Sequence, residues 1–470
     1  MSTAVFVCGD SPELAVSQSN VVVVEGLCRD PSLLGDAESQ PERAVVVLHS
    51  DSFDLPAVQK ALRAISIDPL GVPVLDVGMD DDPGVLSLAV EGLIQRAKNF
   101  NGSSPEHAKP VFSSSVTRRG FLRPPTPTYI AAPQINHTTC AAGDGCRACV
   151  DVCPQDAYRW NAGRISYDKD ACIPCGRCVT SCPTGAIVNP AATSEIIDAQ
   201  VRAVIAASDR SAGIRFVCSR GSVDAQAGWA DISVPCTSMV PASWLLASRL
   251  LGATCARAVP CRDSGCPIEG DSIVTEVNDI ARAVLTQTGF EAAMVAGDAH
   301  TERIELVGTN LFETGNAAEL MLTLTAATGV EFAVESETAQ FGIVSIDEAA
   351  CTLCGQCAKI CPTNALRESY ADEVISVSFD AKACVNCVQC VAECPEIKRG
   401  AISVLGRIDT RRLAAGRSTL NEGTVSSCEV CGNAIAPAKM MNRIGDLLGE
   451  EFKDTMKTLE NRCLDCRGRG

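Results

Sequence analysis

Short apolar, β-branched runs alternate with helix-type spacing over the first 98 residues. The runs have the length of buried strands, and the apolar positions between and after them recur every three to four residues. The predicted strands are Val5–Cys8, Val21–Val24, Val45–Leu48 and Val74–Val77, and the predicted helices are Leu55–Ile65 and Val85–Ala97. Because strands that alternate with helices form a covered parallel sheet, residues 1–98 are predicted to be an α/β domain.

The same alternation returns in residues 200–345. An apolar helix is predicted at Pro241–Leu251, and strands at Ile214–Cys218, Ala256–Val259, Ala292–Val295 and Arg303–Val307. Residues 99–136, between the two regions, are rich in Asn, Ser and Pro and are predicted to be a linker. The linker stretch Thr117–Leu122 resembles a twin-arginine export motif. Such motifs lie at the N-terminus before an apolar segment, so its position favours a linker instead.

Composition adds one strong departure from an ordinary globular chain, which is 27 cysteines in 470 residues. A formal charge of −17 and an aromatic fraction of 4% argue against a nucleic-acid partner. The first residues resemble no secretory signal, and no apolar stretch has the length of a membrane span. We therefore expect a cytoplasmic protein without direct membrane insertion, in which the cysteines bind metal.

Two segments some 200 residues apart each contain eight cysteines, at 137–190 and 346–405. In the second, three cysteines at two-residue spacing precede a fourth that is followed by proline, and the pattern then repeats. Three such thiolates wrap one cluster, and the fourth reaches the neighbouring cluster. The expected ligand sets are Cys351, Cys354, Cys357 and Cys394, and Cys384, Cys387, Cys390 and Cys361. This segment resembles the bacterial two-cluster ferredoxin.

The first segment resembles the same ferredoxin with one departure. Five residues, two of them glycine, separate Cys140 from Cys146 where the usual spacing is two. The expected sets are Cys140, Cys146, Cys149 and Cys182, and Cys172, Cys175, Cys178 and Cys153. Zinc sites or disulfides are the alternatives, but zinc needs only four thiolates in two pairs, and these are complete eight-cysteine sets. We therefore expect four [4Fe–4S] clusters that act as a relay.

Three predicted strand ends in the middle segment carry cysteine, which points to one rim of a parallel sheet. This placement is compatible with a [2Fe–2S] cluster, a redox dithiol or unrelated buried thiols. The segment is similar to the delta subunit of methyl-viologen-reducing hydrogenase, through Phe216–Cys218, Val234–Cys236 and Leu251–Ala253 ahead of the last cysteine pair. The resemblance implies a [2Fe–2S] cluster on Cys218, Cys236, Cys261 and Cys266. Gly221 stands where that family has a further cysteine, and Cys255 is a spare or a replacement ligand.

The N-terminal segment weakly resembles the start of the FAD-binding subunit of heterodisulfide reductase. No Gly-x-Gly-x-x-Gly motif occurs, so we expect no flavin in this chain. Cys8 and Cys28 are interpreted as buried thiols, and His49 as a structural residue. His137 lies three residues before Cys140, where a structural role outweighs cluster tuning.

The last cysteines form two pairs at two-residue spacing, separated by 31 residues, with Gly432 after the first pair. Such pairs resemble the knuckles of a zinc ribbon, and helices at Lys439–Leu448 and Phe452–Leu459 fill the gap between them. Structural zinc is the leading interpretation, with a further iron–sulfur site or disulfides as alternatives. The zinc ligands are Cys428, Cys431, Cys463 and Cys466.

Together these patterns predict an α/β multidomain chain. It has two α/β domains with parallel sheets (1–98 and 200–345), two small α+β ferredoxin-like dicluster modules (137–190 and 346–405) and a C-terminal zinc-ribbon-like segment (428–466). The predicted function is a non-catalytic electron-transfer subunit. The resemblances imply a flavoprotein and other redox subunits as partners, in a complex of heterodisulfide reductase or hydrogenase type. The alternatives are a reductase whose middle cysteines act on a disulfide or persulfide, and a redox-sensing interaction protein.

Overall fold

The computed structural model describes residues 3–9, 11, 14–16, 20–36, 41–49, 54–78, 81–102, 108–111, 128–219, 226–261, 268, 271–289, 310–313, 317–337, 339–371, 373–449 and 459–467. The chain forms two compact units. The first contains residues 1–140, 149–159 and 166–328, and the second contains residues 141–148, 160–165 and 329–470. Among the described residues, no helix is both long enough and apolar enough to cross a membrane.

The first unit begins with a four-stranded parallel sheet of order β2-β1-β3-β4. Its strands are β1 (Thr3–Cys8), β2 (Asn20–Val24), β3 (Arg43–Leu48) and β4 (Val74–Asp76), and its helices are α1 (Leu55–Ala64) and α2 (Pro83–Asn99). Asp54 and Asp82 cap the two helices, and each helix has proline in its first turn. Alternate side chains of β1 face opposite layers: Phe6 packs with α1, and Val5 packs with α2. The parallel sheet predicted for this region is confirmed.

The predicted linker and the first eight-cysteine segment contain short elements. They are β5 (Ala108–Val111), β6 (Thr128–Ala131), β7 (Gln134–Ile135), α3 (Ala148–Asp151), β8 (Tyr158–Asn161), β9 (Arg164–Tyr167), α4 (Arg177–Thr180) and β10 (Ile187–Val188). β5 pairs with β6, and β7 with β10, both antiparallel. Part of the predicted linker is therefore a strand pair, while Thr117–Leu122 lies outside the described residues.

The middle segment contains a second parallel sheet, of order β12-β11-β13. Its elements are α5 (Ser194–Ala207), β11 (Gly213–Cys218), β12 (Trp229–Val234), α6 (Ala242–Leu250), β13 (Ala256–Ala258), α7 (Asp271–Gln287) and α8 (Ala317–Thr328). The strands predicted at 292–295 and 303–307 lie outside the described residues. Helix α2 packs on α5 at Gly92, where a Cβ would lie 3.2 Å from Val204 Cγ2. The two α/β regions thus share one compact unit.

The second unit is built on antiparallel sheets of order β14-β18-β15 and β16-β17-β19-β20. Its elements are β14 (Ala333–Glu335), β15 (Gly342–Ile346), α9 (Gln356–Lys359), β16 (Leu366–Ala371), β17 (Val374–Asp380), α10 (Gln389–Ala392), β18 (Ile402–Asp409), α11 (Thr410–Ala414), β19 (Arg417–Ser427), β20 (Ala434–Pro437), α12 (Ala438–Leu448) and α13 (Leu464–Arg467). Strand β19 extends the sheet of the second eight-cysteine segment, so the C-terminal segment is continuous with it. The helix predicted at Phe452–Leu459 lies largely outside the described residues.

Candidate iron–sulfur and metal centres

One cavity of the second unit has four cysteines in its wall. Its empty space, which includes a part open to solvent, is about 370 Å³, and it is lined by Cys351, Cys354, Cys357 and Cys394, with apolar side chains of β15 and β17. Cys357 lies on α9, and Cys394 follows α10, so the fourth thiol arrives from a distant part of the segment. Burial raises the pKa of Cys357 to about 12, and the thiols of the other three add to the shift. The structure therefore gathers the first expected ligand set of this segment.

A second cavity lies between β15, β17 and α10, and its empty space, which includes a part open to solvent, is about 350 Å³. Its cysteines are Cys361, Cys384, Cys387 and Cys390. Burial raises the pKa of Cys384 to about 11, and the nearby Cys387 and Cys361 thiols contribute to the rise. Backbone N–H groups point at thiols in both cavities: Leu353 donates to Cys351 Sγ at 3.4 Å, and Leu366 to Cys361 Sγ at 3.5 Å. Such N–H···S bonds stabilise thiolate ligands.

The spacing of these thiols tests which kind of metal centre fits. Within the described part of the chain, no three of the sixteen ferredoxin-type cysteines have sulfur atoms all within 4.8 Å of one another. A single tetrahedral zinc ion with Zn–S bonds of about 2.3 Å holds its sulfurs about 3.8 Å apart. A cube separates its ligands further, because each thiolate binds a different iron. The cavities fit iron–sulfur clusters better than single ions.

In the first segment, the thiols of Cys172, Cys175 and Cys178 lie close to one another. Burial raises the pKa of Cys178 to about 12, with further contributions from the Cys175 and Cys172 thiols. The Ala157 N–H donates to Cys153 Sγ at 3.3 Å. The hydroxyl of Tyr158, which lies on β8, donates to Cys178 Sγ at 3.4 Å. Three thiols of this set thus lie together beside Tyr158, and ligation of the same cluster by Cys153 stays a prediction.

The remaining expected set is Cys140, Cys146, Cys149 and Cys182. Cys149 and Cys182 are buried, whereas Cys140 and Cys146 are half-buried. The insertion after Cys140 forms a 3₁₀ turn, Ala141–Asp144, and the Cys146 N–H donates to the Ala141 carbonyl at 3.1 Å. Within the second unit, Gly145 lies directly against the Ile360 side chain and leaves no room there for a Cβ. Binding of a cluster by this set stays a prediction.

The structure separates Cys255 from the other middle cysteines. Cys218 ends β11, Cys236 follows β12 and Cys261 follows β13, all toward the carboxyl edge of the sheet. Cys255 precedes β13, at the amino edge, where its carbonyl accepts from the Ile214 N–H. The length of β11 between Ile214 and Cys218 is about 13 Å. Cys255 is therefore too far away to replace a ligand at the opposite rim, and Cys266 lies outside the described residues.

Cys236 lies next to the first eight-cysteine segment. Met239, on the turn that Cys236 begins, packs on Gly176, so a Cβ there would lie 2.5 Å from the Met239 sulfur. Burial raises the pKa of Cys175 to about 11, and the Cys236 thiol is among the charges that raise it further. The first unit thus places a cysteine of the middle sheet beside one expected cluster.

The four C-terminal cysteines have the spacing of a mononuclear site. The sulfurs of Cys428, Cys431, Cys463 and Cys466 all lie within 4.8 Å of one another, and those of Cys431 and Cys463 are 3.6 Å apart. The backbone N–H of Cys463, with those of Val430 and Cys431, lowers the pKa of Cys428 to about 6. Gly432 has φ +74°, which allows the chain to turn back after the first pair. The arrangement fits one tetrahedral ion.

The sequence reasoning missed the two tyrosines of the β8–β9 hairpin. Tyr158 and Tyr167 stack with ring centroids 4.9 Å apart, and Tyr158 is 3% exposed. Burial, followed by the nearby Cys178 thiol, raises the pKa of Tyr158, so its hydroxyl stays protonated and donates. A signal was present in the sequence, since two of the chain's four tyrosines lie between the two cysteine loops of one segment.

Comparison with known proteins agrees with this geometry over the two cysteine-rich segments. Family models of the 4Fe-4S dicluster domain match residues 139–186 and 343–395. An uncharacterized ferredoxin of Methanocaldococcus jannaschii is 46% identical over 39 residues, which are 8% of this chain and 26% of that protein. The protein named Ferredoxin 7Fe of Hydrogenibacillus schlegelii is 42% identical over 40 residues, 8% of this chain and 51% of that protein. The chain thus spans between about a quarter and about half of the length of these curated relatives. Its two eight-cysteine segments are 4Fe-4S dicluster domains of ferredoxin type.

Proposed function

We propose that this chain is an electron-transfer subunit that relays single electrons through four [4Fe–4S] clusters. The observation that carries the proposal is the pair of complete eight-cysteine sets, two of whose four ligand groups line cavities of the second unit. The ligands are Cys140, Cys146, Cys149 and Cys182; Cys153, Cys172, Cys175 and Cys178; Cys351, Cys354, Cys357 and Cys394; and Cys361, Cys384, Cys387 and Cys390. A cluster with four cysteine ligands has no open position for substrate, which suits electron transfer.

A [2Fe–2S] cluster on Cys218, Cys236, Cys261 and Cys266 extends the relay into the middle sheet. Three of these residues lie toward the same edge of that sheet, and Cys236 adjoins Cys175 of the first dicluster domain. Cys218 and Cys236 are each only 6% exposed, which suits a ligand better than a nucleophile that must meet substrate.

The terminal partners in this proposal are a flavoprotein and a further redox subunit. The chain has no dinucleotide-binding motif of its own. The middle segment is similar to the hydrogenase delta subunit, while the N-terminal segment weakly resembles the FAD-binding subunit of heterodisulfide reductase. Both likenesses support a cytoplasmic complex of that type. In such a complex this chain performs no bond-making chemistry.

The C-terminal cysteines hold a structural zinc ion in this proposal. Their sulfur spacing and the N–H groups directed at Cys428 support a single ion. Because the site joins the connection between β19 and β20 to α13, removal of the ion should loosen that segment and spare the iron–sulfur centres. The Cys463→Ser variant should lose one zinc atom per chain by elemental analysis and retain its iron, whereas an unchanged zinc content would contradict the assignment.

Iron analysis of the anaerobically purified full chain tests the relay. Four cubes and one [2Fe–2S] cluster correspond to about 18 iron atoms per chain. The Cys357→Ala variant should lose about four of them. The Cys255→Ala variant is the matched control, because Cys255 is a buried cysteine outside every proposed ligand set, and its iron content should not change. Fewer than about eight iron atoms in the parent chain would refute the four-cube assignment.

The competing function, reduction of a disulfide to two thiols by two electrons and two protons, uses the middle cysteines directly. The Cys236→Ser variant separates the two. The relay predicts an EPR signal of a reduced [2Fe–2S] cluster that disappears in this variant while the signals of the cubes remain. If the parent chain has no such signal, and Cys236 is alkylated in the native reduced protein, the reductase is favoured instead.

A further inference from the structure

Three residues outside the proposed relay meet at the edge of the N-terminal sheet. Cys8 is the last residue of β1, Cys28 lies four residues after β2, and His49 directly follows β3. These strands are parallel and adjacent in the order β2-β1-β3, so their carboxyl ends lie side by side. Residues far apart in sequence are thereby brought to one place.

This edge is also where the sheet changes its winding direction. Leu14 and Val16, which follow β1, pack on the face covered by α2, whereas α1, which follows β3, packs on the opposite face. The carboxyl end between two such strands is the crevice in which open α/β folds bind ligands. Cys8 ends one of the two strands that flank this crevice, and His49 directly follows the other.

The side chains have the separations of ligands around one ion. The ligand atoms of Cys8, Cys28 and His49 all lie within 4.8 Å of one another, and Cys28 Sγ is 3.8 Å from His49 Nδ1. A tetrahedral zinc ion with bonds of about 2.3 Å to sulfur and 2.0–2.1 Å to nitrogen separates these atoms by about 3.6 Å. An iron–sulfur cube spreads its ligands further, because each thiolate binds a different iron atom.

Backbone N–H groups donate hydrogen bonds to the sulfur atoms of both Cys8 and Cys28. The His49 N–H donates to Cys28 Sγ at 3.1 Å, and the Cys28 N–H donates to Cys8 Sγ at 3.4 Å. Such bonds favour the thiolate form that binds metal and hold the ligands in place. Cys8 is buried, while Cys28 and His49 are half-buried, so the site is reached from the surface.

We propose that Cys8, Cys28 and His49 bind one zinc ion. Two thiolates and one imidazole are a ligand set that zinc accepts. Among the described residues, no fourth His, Cys, Asp or Glu joins the group, and a solvent molecule serves as the fourth ligand in this proposal. The site is separate from the iron–sulfur relay and does not depend on it.

Metal analysis of the full chain, purified anaerobically with its clusters, tests the site. The Cys8→Ala, Cys28→Ala and His49→Ala variants should each lose one zinc atom per chain and retain the iron of the parent. Cys255→Ala, which removes a buried cysteine of the other parallel sheet, should retain all of its zinc. Unchanged zinc in the first three variants overturns the proposal, and so does a loss of iron in place of zinc, which would mean a cluster at this edge.

A conservative variant separates ligation from a role in folding. In a Cys463→Ser background, which removes the proposed C-terminal ion, zinc-edge X-ray absorption should show two sulfur neighbours and at least one imidazole nitrogen. His49→Cys in that background should keep the ion and show three sulfurs. An unchanged ligand count in His49→Cys overturns the proposal. The metal analysis of the Cys8, Cys28 and His49 variants does not depend on the C-terminal site, because it compares each variant with the parent chain.

Discussion

At the scale of the residue, one expected cluster has a ligand that accepts a hydrogen bond from a side-chain hydroxyl group. Tyr158 donates to Cys178 Sγ at 3.4 Å from a buried position. A donor to a thiolate ligand stabilises the more negative, reduced state of a cluster and so raises its reduction potential.

The Tyr158→Phe variant should therefore have a lower reduction potential at one cluster. A hydrogen bond contributing about 0.5–1.5 kcal/mol corresponds to a change on the order of 20–60 mV for one electron. An EPR-monitored redox titration measures the shift. Tyr370→Phe is the matched control, because Tyr370 is 57% exposed on β16 of the other dicluster domain and should change no potential. A potential that rises in Tyr158→Phe would contradict this role.

At the scale of the element, three cysteine loops share one backbone conformation at the start of a short helix. Gly176, Gly355 and Val388 each follow the second cysteine of a loop, each begins a short helix, and their φ values are +79°, +72° and +51°. Glycine adopts this left-handed region without strain, but a β-branched residue does not. The loops with Gly176 and Gly355 therefore adopt this turn without strain, whereas the backbone of Val388 is strained.

Replacing Gly355 by valine and replacing Val388 by glycine should change the free energy of unfolding in opposite directions. Gly355→Val places a Cβ against the Glu368 carboxylate and in a left-handed conformation, which should cost about 1–2 kcal/mol. Val388→Gly relieves strain at a half-exposed side chain and should stabilise the chain by up to about 1 kcal/mol. Anaerobic chemical denaturation of the cluster-loaded protein measures both. If Val388→Gly instead lowers the free energy of unfolding, the packing of the valine side chain outweighs its backbone strain.

At the scale of the whole molecule, the net charge produces a long-range electrostatic field. The formal charge is −17, and clusters bound by four thiolates add negative charge. A negative field attracts cationic reaction partners and repels anionic ones at long range. Salt screens this field, since the Debye length is about 10 Å at 0.1 M and about 3 Å at 1 M.

Electron transfer to small acceptors should show this field. Oxidation of the reduced chain by hexaammineruthenium(III), a cation, should slow as salt increases, and oxidation by ferricyanide, an anion, should accelerate. Stopped-flow absorbance at about 0.02–0.5 M salt, a range over which screening changes strongly, measures both rates. The sign of each salt dependence is the readout, because the two acceptors differ in driving force. The same sign for both acceptors would contradict an electrostatic origin of the salt effect, and unchanged rates for both would mean that no net field acts where electrons leave the chain.

Local sequence by itself determined the two dicluster domains and the parallel sheet at the start of the chain. Three ligands of a cluster lie within one short loop, and a buried strand is a continuous apolar run, so both leave a pattern in neighbouring residues. Only the tertiary structure decided that Cys255 lies at the wrong edge of its sheet, that β19 joins the second dicluster domain and that Cys8, Cys28 and His49 meet. These outcomes depend on which strands pair and on which of their ends lie side by side. Because the paired strands are distant in sequence, no local pattern of residues predicts this arrangement.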